Sequence, residues 1–267
     1  MLFKYSNKGE LVVANYIRRD VLAEAYTHLE VDIFNDKSKL NNLELELKEF
    51  FGVRASFIFG TEVEVRVEFE EGSLKTKVIA YASAAAVLLS PVVDYSSFRE
   101  SVAQMAADAA ALAQMANIEV VFRTKAPRCD RIRIEKRRGV FGRVDAFLTE
   151  LDSISNELSG TTLPTKKSEI KILDAGVDKL IALNERMDSL FEKLESDETI
   201  ACISAGLLEE VKKLPRTFGW ESEMKQSSMR AQILDSDTAL SVAASGTAAR
   251  YAAAIKQIEK NLENRLE

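Results

Sequence analysis

A chain of 267 residues, 46% hydrophobic and 29% charged, is long enough to bury a sizeable core, too apolar to stay disordered and too charged to be membrane-embedded throughout. Its formal net charge of −6 conceals a segregation of sign: residues 1–118 carry 12 basic and 17 acidic side chains, residues 119–145 carry 9 and 4, and residues 146–267 carry 15 and 21. Cys129 and Cys202 lie too far apart for a disulfide framework or a zinc spacing, and the opening MLFKYSNKGE lacks the apolar stretch of a secretory signal, so a reducing cytoplasm is the expected compartment.

Taken in chain order, residues 9–30 read as a first helix, with Leu11, Asn15, Leu22, Tyr26 and Leu29 near one stripe. His28 belongs to it and, as the single histidine, has no second histidine for a metal site or relay. Ser38 resembles an N-cap for a short helix through Leu40, Leu43, Leu47 and Phe50, which Gly52 is expected to stop. Residues 53–59 (VRASFIF) then read as a strand.

The stretch 61–112 organises the first half. Val63, Val65, Val67 and Phe69 fall on one face of a strand and Glu62, Glu64, Arg66 and Glu68 on the other, because side chains alternate along a strand. A turn at Glu71, Gly72 and Ser73 brings LKTKVIAYA back, with Lys75 and Lys77 opposite the acidic face. Residues 78–93 carry no charge, but at helical rise these 16 residues would span only about 24 Å, short of a bilayer core. A buried element is the better reading. Ser97 with Glu100 fits a capping box, opening a helix striped by Phe98, Val102, Met105, Ala109 and Leu112. Residues 118–122 and the RIRIE of 131–135 read as two further strands separated by Pro127, the second with Ile132 and Ile134 on one side and Arg131 and Arg133 on the other.

From Val140 the period changes to that of helices. Val140, Val144, Phe147, Leu151, Ile154 and Leu158 form one seam, and after a loop at 159–167 a second begins. In it Ile170, Val177, Asn184 and Phe191 take a positions and Leu173, Leu180, Met187 and Leu194 take d positions. Asn184 is the candidate register residue. Ile181, Leu183 and Leu190 widen the apolar face, which favours packing within the chain, as in a helical hairpin or bundle. A further helix over 199–214, an anchoring Trp220 and one or two helices over 221–267 complete the chain.

The fold class expected is therefore α+β: residues 1–138 an antiparallel sheet with packed helices, residues 139–267 a helical bundle with coiled-coil character. No phosphate loop, dinucleotide fingerprint, nucleophile elbow or metal-ligand spacing is present, so no catalytic residue, cofactor or metal is assigned. Cys129, between Arg128 and Arg131, lacks a histidine that would activate it. The sharper signal is the basic segment, in which Arg123, Lys125, Arg128, Arg131, Arg133, Lys136, Arg137, Arg138 and Arg143 place nine cations in 21 residues. Such a surface would meet an anion, a protein partner or the acidic halves of its own fold.

These features give a non-enzymatic protein working through protein contacts and self-association by its helical half as the first expectation. A latent membrane-inserting effector using residues 78–118 is the second. Nucleic-acid binding through 123–143 is the third, with Phe122 and Phe141 as the nearby aromatics.

Overall fold

The computed structural model describes residues 20–266 apart from 32, 34–35, 71–72, 91–96, 163, 224–225 and 227–238. Four strands, β1 (Asp20–Leu29), β2 (Glu64–Glu70), β3 (Leu74–Ala82) and β4 (Arg131–Arg137), form one antiparallel sheet in the order β2-β3-β1-β4. The helices are α1 (Lys37–Phe59), α2 (Ala84–Leu88), α3 (Phe98–Thr124), α4 (Gly139–Ser159), α5 (Lys167–Phe191), α6 (Asp197–Lys212) and α7 (Ala239–Glu263). The α+β architecture expected from the sequence is the one observed.

The hairpin forms as its alternation dictates. Val67 lies opposite Val78, while Glu68 opposes Lys77 and Glu70 opposes Lys75 on the other face. The valines fix the register, because a one-residue slip would turn them outward, and the opposed charges favour the same register. Glu71 and Gly72 of the expected turn lie outside the described residues.

Three local expectations are corrected. Residues 20–29 are a strand rather than part of a helix, and residues 9–19 lie outside the described residues. The burial of Leu22, Ala23, Ala25, Thr27 and Leu29 alternates except for a bulge at 22–23, and that irregularity makes the same residues also fit a helical stripe. His28 therefore sits on a strand, its Nε2 2.6 Å from the Ser73 hydroxyl.

The helix expected to stop at Gly52 instead runs on to Phe59. Asp36, not Ser38, caps its start by accepting from the Lys39 N–H, and Gly60 ends it at φ 63°. Phe51, Ala55 and Phe59 continue the buried stripe begun by Leu43 and Leu47, so 53–59 is helix rather than strand. Residues 118–122 are likewise the last turns of α3, where buried Ala116 and Val120 prolong the stripe. Tertiary burial overrides the local β-branched composition.

The uncharged 78–93 run divides as a buried element would. It completes β3 and forms the short α2, whose Ala84, Ala85 and Val87 are buried, while residues 91–93 lie outside the described residues. Ser97 caps α3 through the Glu100 N–H. Helices α1 and α3 pack on one face of the sheet, and α4 packs on α3 and β1. The buried apolar cluster continues through the β4–α4 turn at 138–139, with the Phe59 and Phe141 rings 6.4 Å apart.

In the second half α5 lies against α4 and α7, and α6 against α7. Leu173, Leu180 and Met187 at d on α5 and Leu194 just beyond it are buried, as are Ile170, Val177 and Phe191 at a. Asn184 accepts a 3.0 Å hydrogen bond from Asn261 Nδ2, so its partner is α7 of the same chain. Trp220 is buried, stacked on Phe218 at 5.0 Å, and its indole donates to Thr161.

Candidate functional site

The segment from the end of α3 to the start of α4 brings the basic residues together at one edge of the sheet. Lys125 closes α3 in the left-handed conformation, φ 52°, with its N–H bonded to the Phe122 carbonyl and the next N–H, of Ala126, to that of Val121. That pair of bonds is the double closure by which helices stop without exposing carbonyls. Pro127 and a 3₁₀ turn (Arg128–Asp130) then return the chain beside β1, where the Glu30 N–H donates to Asp130 O at 2.8 Å.

A buried amide fixes the distance between α3 and the sheet here. Asn117 accepts from the Thr27 hydroxyl at 2.6 Å and donates to the Glu135 carbonyl at 2.8 Å. Both halves of the amide are satisfied, as a buried polar group requires. Outside this tie an open groove of about 550 Å³ separates α3 from β4, lined by Ile118, Val121, Phe122 and Ile134 with Lys125 and Arg131 among its walls. Phe122 is 74% exposed, Ile118 59% and Ile134 43%. Reading 118–122 as a strand conceals this groove, because alternation groups Val120 with Ile118 and Phe122, whereas on the helix Val120 is buried and the other two face outward.

A register shift between His28 and Leu29 changes the faces of β4. Arg131 opposes inward-facing Leu29 and lines the groove with Ile134, whereas Arg133 opposes His28 on the open face. Arg131 and Arg133 therefore do not share a face, contrary to simple alternation. The cause is the bulge.

The nine cations divide into three groups. Arg123 pairs with Glu46 and Glu119, Arg133 with Glu135, Arg137 with Glu24 at 2.6 Å and Glu135 at 2.9 Å, and Arg138 with Asp145 at 2.9 Å. The Glu119 hydrogen bond, with Glu46, raises the Arg123 pKa, and the Arg137 hydrogen bond, with Arg133, holds the Glu135 carboxyl below its usual range. Lys125, Arg128, Arg131 and Lys136 are exposed and form no ion pair among the described residues. Arg143 is different again: its Nε is buried without a hydrogen-bond partner among the described residues, and burial lowers its pKa.

Arg143 borders a second cavity of about 360 Å³ with Glu24, Arg137, Arg138, Gly139 and Gly142. Gly139 is required here, since at φ +56° a Cβ would stand 2.3 Å from the Val21 and Leu22 carbonyl oxygens. Of the two aromatics near the basic segment, Phe122 is exposed and Phe141 is fully buried.

The two cysteines and the histidine lie apart. Cys129 is exposed with its thiol 3.3 Å from Asp130, His28 meets Ser73, and Cys202 lies on α6, its thiol pKa raised by burial. Among the described residues no three His, Cys, Asp or Glu side chains group to hold a metal. One helix among the described residues, α3, is long and apolar enough to cross a membrane, and its apolar stripe of Val102, Met105, Ala109 and Leu112 is buried in the core.

Compared with protein families, with curated proteins and with solved structures, the chain has no significant match to any of them.

Proposed function

We propose that this is a non-enzymatic, cytoplasmic interaction protein whose docking surface is the outer edge of β4 together with the α3 groove. The observation that carries this reading is the groove itself: exposed Ile118, Phe122 and Ile134 lie beside a strand that pairs with β1 alone among the described residues. An edge strand presents a row of unused N–H and C=O groups, and an adjacent apolar groove supplies side-chain pockets, which together are the elements of strand addition. Lys125, Arg128 and Arg131 give the surface a cationic rim, so the complementary segment is extended, apolar on one face and acidic on the other. With the heptad seam turned inward and Asn184 bonded to Asn261, support for an assembly surface lies in the sheet edge rather than the bundle.

The test is site-specific photo-crosslinking in cells, with a photoreactive residue at Phe122 and, as control, at exposed Val242 on α7. Protein adducts at 122 that are absent at 242 are the expected result. Equal or absent adducts at both positions contradict the reading.

A second reading has one observation in its favour. Exposed Phe122 close to Lys125 and Arg131, which form no ion pair among the described residues, is the pairing of a stacking platform with cations that single-stranded nucleic acid uses. Binding that weakens steeply with salt and is lost in Phe122→Ala supports it; no binding at low salt removes it.

A further inference from the structure

The two edges of the sheet are written to fit each other. Among the described residues β2 and β4 are the outer strands, and each has seven residues, EVRVEFE and RIRIEKR. Laid antiparallel with Arg133 opposite Glu68, they place Glu135 opposite Arg66 and Arg137 opposite Glu64, while the bulge turns Arg131 away from this face. Every charged pair in that register is of opposite sign. The intervening positions put Ile134 opposite Val67 and the stem of Lys136 opposite Val65.

Direction agrees with charge. Because the sheet is antiparallel with four strands, β2 and β4 run in opposite directions. A second copy displaced along the sheet, with only the ordinary twist, therefore offers its β2 antiparallel to the first copy's β4. The faces agree too. Val67 opposes Val78 and Ile134 opposes Thr27, so both lie on the helix-covered side, whereas Glu68 and Arg133 lie on the open side with Lys77 and His28. Neither strand would have to turn over.

We propose, building on the docking surface described above, that the occupant of the β4 edge is β2 of a second copy, joined head to tail into a continuous antiparallel sheet. Like edges fit less well. Two β4 strands centred on Glu135 would oppose Arg133 to Arg137 twice, and two β2 strands centred on Val67 would oppose Glu64 to Glu70 twice. The β4–β2 contact is heterologous, so each added copy leaves one of each edge open and assembly proceeds to a filament or a ring.

The experiment uses the full chain in light scattering and sedimentation, from micromolar to near-millimolar concentration, in low and high salt. Mass rising with concentration and falling several-fold with salt is expected. Arg133→Glu alone and Glu68→Lys alone are expected to abolish the rise, and the two together to restore it, with far-UV circular dichroism and melting temperature reporting that each variant folds. Because Glu68 opposes Lys77, a cysteine pair provides an independent arm: Arg133→Cys with Glu68→Cys, in a Cys129→Ser background, is expected to give a disulfide-linked ladder on oxidation. Directly opposed strand residues lie within disulfide reach. A wild-type chain that stays monomeric overturns the proposal, while adducts to a different protein at position 122 would leave the docking surface standing. Mass that persists in Glu68→Lys but not in Arg133→Glu indicates a β4–β4 dimer and also overturns it.

Discussion

The Thr199 hydroxyl donates a 2.6 Å hydrogen bond to the buried Asp20 carboxylate, joining the first residue of β1 to the first turn of α6 across 179 positions of sequence. The same carboxylate accepts from the Ala84 N–H at the start of α2 and from the Glu195 N–H, both at 3.1 Å. Asp20 thus holds the sheet, α2 and the bundle at one point. Replacing it with alanine takes the acceptor from two buried donors, the Thr199 hydroxyl and the Ala84 N–H, and a loss of about 3 kcal/mol is expected in urea unfolding. Thr199→Val, which keeps the shape but removes one donor to Asp20 and the acceptor of the Ala85 N–H, is expected to cost about 1–2 kcal/mol. Equal costs would mean the carboxylate is not the shared acceptor.

Asn184 and Asn261 supply the corresponding tie between α5 and α7. Asn184→Ala and Asn261→Ala are each expected to destabilise by roughly 1 kcal/mol, with a coupling of about 0.5–1 kcal/mol in a double-mutant cycle. Coupling near zero would separate the two amides.

Two helical glycines should respond in opposite directions to alanine. A Cβ at Gly206 would stand 2.3 Å from the Phe98 ring, so α6 approaches α3 only because this side chain is absent. Gly206→Ala is expected to destabilise by about 1–3 kcal/mol despite alanine's better helix propensity. Gly246 faces open space on α7, and Gly246→Ala is expected to stabilise by about 0.5–1 kcal/mol. Thermal denaturation of the two variants reads both signs.

Glu210 makes part of the stability pH-dependent. Burial pushes its pKa up, but hydrogen bonds from Lys213 at 2.6 Å and Arg99 at 3.1 Å outweigh that and hold it below the ordinary value of 4.5. A carboxylate whose folded pKa is depressed contributes stability that is present above the unfolded pKa and lost as pH falls through the folded one. Stability is therefore expected to fall below about pH 4.5 with a contribution that Glu210→Gln removes. An unchanged acid slope in the variant would contradict this.

Much of the architecture was legible in the sequence, because periodicity survives wherever a single neighbour decides burial. The 64–82 hairpin, the Ser97 cap and the inward seam of α5 follow from local pattern alone. The misread segments are those whose pattern is shaped by a long-range partner: β1, with a bulge and strand neighbours on both sides, and the ends of α1 and α3, where β-branched residues lie on helices fixed by the sheet. The basic segment was visible as composition, but its partition was not, since Glu24 and Glu46 reach it from distant positions. The complementarity of EVRVEFE and RIRIEKR stood in the sequence throughout and acquires meaning only once both strands are edges.

Amide hydrogen exchange on the wild-type chain at low and high concentration tests the edge-docking account most directly. Protection that rises with concentration in both 131–137 and 64–70, with the exchange of 167–191 unchanged, is the expected result. Exchange at both edges that is independent of concentration, in a chain whose mass does not change, would contradict it.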